Sequence, residues 1–311
     1  MRIIFMGSDR LACPALEVLA KRADDELVGI IAQPDRPKGR RRKPAPCDLK
    51  RRAEELELPV WTPEKIGAPE SVERIRQMEP DIITVVAYGQ YIPEKVLGIP
   101  PHGAVNLHPS LLPRYRGASP VQWAVANGDV QTGVTILYVS KEMDAGDIIL
   151  QAVQPIHDDD NAVTLAARLA EQGAQMLCQV LDMHHAGEIP RMPQDETQAT
   201  VVHKLSKEDG RIDWTLDAAT LRNRIRGFQP WPLCFCEWPR GSGHYLRITA
   251  AQVESRQGPP GCILEAKGEG PLVAAGDRAL RLIEVQPEGK RCMSGRAFLC
   301  GHSIEPGTII G

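Results

Sequence analysis

Four short runs in the first hundred or so residues restrict the fold more than anything else in the chain. Residues 2–6, 27–32, 82–87 and 104–107 are almost wholly apolar and end near glycine or polar turns. Strands apolar on both sides must be covered on both sides, as in a parallel sheet between helical layers. The intervening segments suit helices: residues 14–21 carry Leu16, Leu19 and Ala20 on one face, and residues 53–57 and 70–78 follow, with 59–61 a short strand. Residues 133–139 and 148–153 read as a final strand pair, and Ala162–Ala186 as a long closing helix. The alternation predicts an α/β domain whose ligands bind beyond the carboxyl ends of the strands, where Tyr88 and His108 fall.

The second half changes character. The polar stretch from Glu188 to Thr200 reads as a linker. After a helix at 216–226 come β-like runs at 233–238, 245–253, 261–265, 272–275 and 279–285, separated by glycine and proline. This spacing suits a small β-barrel, and an oligonucleotide-binding type fits it. The expected division is residues 1–187, a linker at 188–203 and a C-terminal domain at 204–311, which 311 residues accommodate at about 150 per domain.

Composition removes several classes. No run approaches the roughly 20 apolar residues of a membrane span. The N-terminus reaches Gly7 too soon for a signal peptide, so a cytoplasmic protein is expected. The eight cysteines are scattered without a Cys-x2-Cys pair, so reduced thiols are expected and no zinc site. Cys234 and Cys236 alternate around Phe235 as on one strand face. His184-His185 reads as a solvated pair on a helix. Neither domain shows an apolar surplus, so a monomer is expected. Gly-x-Gly-x-x-Gly is absent after the first strand, which argues against a nicotinamide cofactor. From Lys204 onward there are 15 basic and 12 acidic residues, against 22 and 28 before it, a balance that suits an anionic partner for the C-terminal part.

Chemistry concentrates in Asn106-Leu107-His108-Pro109-Ser110-Leu111-Leu112-Pro113 and in Asp144-Ala145-Gly146-Asp147. Asn106 and His108 are two apart, so an extended segment puts them on one face. Two polar side chains at the end of a buried strand are costly without a purpose. With Asp144 they suit attack of an amine on a formyl or acyl carbon. The Asn donates to the developing oxyanion, the His manages a proton and the Asp holds the imidazole. A second feature is the loop at residues 34–44, where six of the eight residues from Arg36 to Lys43 are basic. On the ligand side of the sheet it reads as a contact for nucleic-acid phosphates.

These runs resemble the methionyl-tRNA formyltransferase family. The matching stretches are Gln33-Pro34-Asp35-Arg36-Pro37, Val86-Ala87-Tyr88-Gly89, Asn106 through Pro120, Asp144 through Asp147, Lys204 through Trp214, Pro230-Trp231-Pro232 and Leu280 through Glu288. The resemblance implies a Rossmann-like formyltransferase domain joined to an oligonucleotide-binding-like barrel. It implies 10-formyltetrahydrofolate as formyl donor, giving tetrahydrofolate, with no metal, and the methionine α-amino group of initiator Met-tRNA as acceptor. It puts catalysis on Asn106, His108 and Asp144. Folate contacts fall on Ser110, Leu111, Leu112 and Pro113 and on the backbone of Gln90, Tyr91 and Ile92. The tRNA contacts fall on Arg36, Lys38, Arg40, Arg41, Arg42 and Lys43. One departure is the first turn, Ser8-Asp9-Arg10-Leu11, where the family usually has Thr-Pro-Glu-Phe. The trio alone also suits a formyltransferase acting on an amino sugar nucleotide, or a formyltetrahydrofolate hydrolase. The basic loop and the Lys204–Trp214 stretch favour the tRNA substrate.

Overall fold

The apolar runs become the central strands of a mixed sheet in the computed structural model, which describes residues 1–38 and 43–311. The strands are β1 (Arg2–Gly7), β2 (Glu26–Ile31), β3 (Arg36–Lys38), β4 (Lys43–Ala45), β5 (Val60–Trp61), β6 (Ile82–Val86), β7 (Ala104–His108), β8 (Arg116–Gly117), β9 (Gln131–Tyr138) and β10 (Ile148–Pro155). Seven of them form one sheet in the order β10-β9-β7-β6-β1-β2-β5. β5, β2, β1, β6 and β7 run parallel, and β9 returns antiparallel to β7. The chain starts in the middle and builds outward both ways, so the strand order reverses between β1 and β6. That switch point leaves a crevice at the carboxyl ends of the strands. β3 and β4 form a separate antiparallel hairpin.

Helices cover the faces. They are α1 (Cys13–Leu19), α2 (Asp48–Glu55), α3 (Pro69–Gln77), α4 (Glu94–Leu97) and α6 (Ala162–Ala186); α5 (Pro120–Ala126), between α4 and α6 in the chain, packs on a later helix instead. Proline in the first turn starts α1, α3 and α5, where its missing N–H costs no hydrogen bond. Ile4, Met6, Ile31, Ile83 and Val85 pack with Val72 and Ile75 of α3, while the alternate residues Ile3 and Phe5 are equally buried. Each such side chain contributes about 1.5–3 kcal/mol of burial, which makes the sheet a rigid platform. α6 crosses β7, with Leu107 against Gly173, and so occupies the face away from Asn106 and His108.

The chain divides into two units. One comprises residues 1–117, 132–155 and 166–201, the other residues 118–131, 156–165 and 202–311. Residues 188–201, expected as part of a linker, belong to the first. Met192 exchanges two backbone hydrogen bonds with Ile148 at the start of β10, at 2.8 and 3.0 Å. His184 also departs from expectation. It is 6% exposed, on the buried stripe of α6 with Val180 and Leu181, while only His185 reaches solvent and pairs with Asp25 at 2.8 Å.

The second unit is built of short strands, as expected, and they pair antiparallel. After the two-residue β11 (Val201–Val202) come β12 (Cys234–Glu237), β13 (Tyr245–Glu254), β14 (Ile263–Lys267), β15 (Gly270–Ala274), β16 (Ala279–Pro287) and β17 (Met293–Ser294), with α7 (Ala218–Gly227) and α8 (Gly295–Gly301). Its sheet runs β12-β13-β16-β15-β14, with β17 beside β16, as in a barrel-like domain. One core holds Trp214, Leu221, Phe228, Leu246, Ile248, Leu280, Leu282 and Phe298. Cys234 and Cys236 are both buried in it, and no cysteine is bridged among the described residues. α5 joins this unit by packing on α7. A Cβ at Gly227 would lie 2.7 Å from the Ala126 nitrogen, so only glycine lets the two backbones come this close.

Candidate active site

β7 carries Asn106 and His108 to its carboxyl end. Its register pairs Asn106 with Val85 of β6 and His108 with Thr135 of β9. Beyond His108 the chain turns sharply and is pinned from below. The Ser110 carbonyl accepts from Thr135 Oγ1 at 2.6 Å, and that oxygen accepts from the Leu112 N–H at 3.2 Å and from Gln151 Nε2 at 2.9 Å. The turn then delivers Tyr115, Arg116 and Gly117 back over the strand end.

These elements bring the three sequence candidates together. Asp144 Oδ2 lies 3.6 Å from His108 Nδ1, and Asn106 Nδ2 donates to Asp144 Oδ1 at 3.4 Å. The other ring nitrogen, His108 Nε2, is 2.9 Å from the Tyr115 carbonyl oxygen. A carbonyl only accepts, so Nε2 carries the hydrogen. In the neutral ring Nδ1 is then a bare lone pair facing a carboxylate. A proton arriving at Nδ1 turns that contact into a charge-assisted one. Asp144 Oδ2 also accepts the Gly117 N–H at 2.9 Å. The Asn106 contact is long and weak, so its amide can turn to an incoming oxygen at little cost. His108 is 4% exposed, which lowers the local dielectric and strengthens each of these contacts.

The expected folate contacts are more constrained than the sequence suggests. Ser110 is fully buried and its hydroxyl donates to the Arg114 carbonyl at 2.7 Å. Leu112 packs with Leu137 and Ile148. The Leu112 carbonyl accepts from Gln151, and the Pro113 carbonyl from the Thr200 N–H. Leu111 and Pro113 remain partly accessible. In the other loop the Gln90 side chain bonds Ile66 N–H and the Pro63 carbonyl, Ile92 is buried and Tyr91 is 68% exposed. The backbone amides of Gln90, Tyr91 and Ile92 donate to nothing else among the described residues.

At the switch point a cavity of about 320 Å³ is lined by Ser8, Gln33, Arg36, Tyr88 and Gly89, among others. It lies one strand over from Asn106. Ser8 ties it together, with Oγ donating to the Tyr88 carbonyl at 2.9 Å and accepting the Gln33 N–H at 3.1 Å. The unusual Asp9 accepts the Leu11 N–H at 3.0 Å and so starts a short helical turn. Of the basic candidates, Arg36 is exposed beside Glu64 at 3.6 Å and Lys43 is exposed. Arg40, Arg41, Arg42 and the side chain of Lys38 lie outside the described residues. Sequence reasoning assigned no role to the Tyr115 carbonyl or the Gly117 amide. Backbone groups leave no residue-type signal, and only the adjacency of Tyr115-Arg116-Gly117 to the turn pointed there.

Comparison with known proteins agrees along the whole chain. The family described as Formyl transferase matches residues 1–181, and Formyl transferase, C-terminal domain, matches residues 204–303. The methionyl-tRNA formyltransferase of Geobacter sulfurreducens is 41% identical over 311 residues, covering 100% of this chain and 97% of that protein. That of Chloroflexus aurantiacus is 45% identical over 304 residues, with 97% of each covered. Among solved structures, an N-formyltransferase from Helicobacter canadensis in complex with folinic acid and dTDP-3-aminofucose has a TM-score of 0.67 at 16% identity, covering 91% of this chain and 99% of that one. HypX from Aquifex aeolicus in complex with tetrahydrofolic acid has a TM-score of 0.63 at 20% identity, over 96% of this chain and 47% of that one. At such identities the two structures share a fold with this chain, and the likeness extends no further.

Proposed function

This chain belongs to the methionyl-tRNA formyltransferase family, and on that premise we propose that it transfers the formyl group of 10-formyltetrahydrofolate to the methionine α-amino group of initiator Met-tRNA. The observation that carries the reading is the meeting of Asn106, His108 and Asp144 at the end of β7. A sugar-nucleotide amine would use the same trio. The tRNA acceptor is favoured by the full-length identity and by the basic hairpin of β3 and β4 beside the switch-point cavity.

Bound 10-formyltetrahydrofolate supplies an activated one-carbon unit. The open amides of Gln90, Tyr91 and Ile92 and the accessible Leu111 and Pro113 fit a flat, polar-edged ligand. Asn106 Nδ2 donates to the formyl oxygen as negative charge develops on it. His108 Nδ1 takes the proton that the attacking amine must lose and returns it to the departing folate nitrogen. Asp144 stabilises the ring while it carries that proton, and the Tyr115 carbonyl fixes which nitrogen is free to do so. The basic hairpin holds tRNA phosphates.

Formylation of charged initiator tRNA is compared with that of free methionine and of an amino sugar nucleotide. Transfer to the charged tRNA alone is expected. Asn106→Ala and His108→Ala are expected to lower kcat about 100- to 1000-fold while tRNA binding stays near wild type. Equal losses in turnover and tRNA binding would make the trio structural instead.

A further inference from the structure

Asp144 sits in the left-handed region at φ 53°, a conformation that a non-glycine residue keeps only where its surroundings impose it. Its side chain has one short contact, the Gly117 N–H at 2.9 Å, beside the longer ones to Asn106 at 3.4 Å and His108 at 3.6 Å. The backbone is held from residue 194. Gln194 Nε2 donates to the carbonyls of both Asp144 and Gly146, each at 2.8 Å. Gln194 is itself oriented, because its Oε1 accepts from Arg116 Nε at 3.1 Å and from Arg116 Nη2 at 2.8 Å. Arg116 is 7% exposed and is clasped by both Glu196 carboxylate oxygens, at 2.9 and 2.7 Å. The hydrogen bonds raise the guanidinium further above its usual range and hold Glu196 below the usual carboxylate range. Arg116 lies between Tyr115, whose carbonyl orients His108, and Gly117, whose amide caps Asp144. One network therefore reaches both members of the acid–base pair.

Only a primary amide suits this place. Two carbonyls require two N–H donors on one side, and a guanidinium requires an acceptor on the other. A carboxylate fails the first demand and an ammonium the second. We infer that Gln194, anchored by Arg116, is a positioning residue for the formyl transfer, acting through the Asp144 loop. The inference rests on Asp144 serving the reaction.

The test measures kcat and both KM values, with 10-formyltetrahydrofolate and charged initiator tRNA. It uses Gln194→Met, Gln194→Glu, Asp144→Asn and the double variant Gln194→Met/Asp144→Asn. Gln194→Met is expected to lower kcat about 100-fold with both KM values within about threefold, since small misplacements cost this much. In the Asp144→Asn background it should add less than about twofold, because both losses run through one carboxylate. Gln194→Glu keeps the Arg116 contacts but sets oxygen against two carbonyl oxygens. It should match Gln194→Met, and it replaces that variant if the latter fails to fold. A kcat within about threefold of wild type in the Gln194 variants while Asp144→Asn is impaired overturns the inference. So does a full, independent loss in the double variant. A near-wild-type Asp144→Asn would instead remove the role of Asp144, and the positioning role with it.

Discussion

At the scale of single residues, the site depends on atoms that take no part in chemistry. Thr135 Oγ1 has three partners: it donates to the Ser110 carbonyl and accepts from Leu112 N–H and Gln151. Thr135→Val keeps the shape and strands those groups in a buried place. It should cost about 2 kcal/mol or more of unfolding free energy, read by denaturant titration, because unsatisfied buried polar groups carry that penalty. Gly146 is constrained by space. A Cβ there would lie 1.9 Å from the Tyr138 carbonyl oxygen. Gly146→Ala must therefore push the Asp144 loop off β9, and its kcat should fall about 100-fold while the melting temperature drops only modestly. A variant with wild-type turnover would mean that the loop position is immaterial.

At the scale of elements, the hairpin of β3 and β4 gives a separable prediction. Arg36 pairs with Glu64 at 3.6 Å with both side chains exposed, a contact of little worth that phosphate can displace. Arg36→Ala with Lys43→Ala should weaken tRNA binding and flatten its logarithmic salt dependence by about 0.7–0.9 per lost phosphate contact. Turnover at saturating tRNA should stay near wild type, and an unchanged slope would take the hairpin out of the interface. The central strands and α6 were legible because burial on both faces, or on one helical stripe, writes a period into the chain. α5 was missed for the converse reason. Pro120, Val121, Ala124, Val125 and Ala126 are all buried and Gln122 is its single polar residue, too little contrast to reveal a period. The pairing of β3 with β4 is not legible in the sequence, because a run of basic residues carries no strand period. Asn106 and His108 are legible through strand spacing and Asp144 only through the resemblance of its loop, whereas Gln194 is hidden in a polar run whose composition matches a linker. Whether a polar side chain is satisfied by solvent or by a buried arginine is decided by tertiary contacts.

At the scale of the molecule, one helix position should add to the acid sensitivity of the fold. Burial first, and then the charge of His102 and Arg191, lowers the His184 pKa from 6.5 to about 4. Between those values the unfolded chain binds a proton that the folded chain refuses. The stability contributed by a neutral His184 is therefore full above about pH 6.5 and is lost as pH falls toward about 4. His184→Leu should flatten the unfolding free energy across that window, and an unaltered pH profile would remove His184 as the cause. No helix among the described residues is long and apolar enough to cross a membrane. The second unit takes residues 118–131 and 156–165 from ahead of its main segment, and α5 rests its backbone on Gly227 of α7. A gene cut near codon 203 would thus not yield an independent catalytic half. It would strand a greasy helix without its mate and favour aggregation, so chimeras between relatives should inherit α5 and α7 from the same parent.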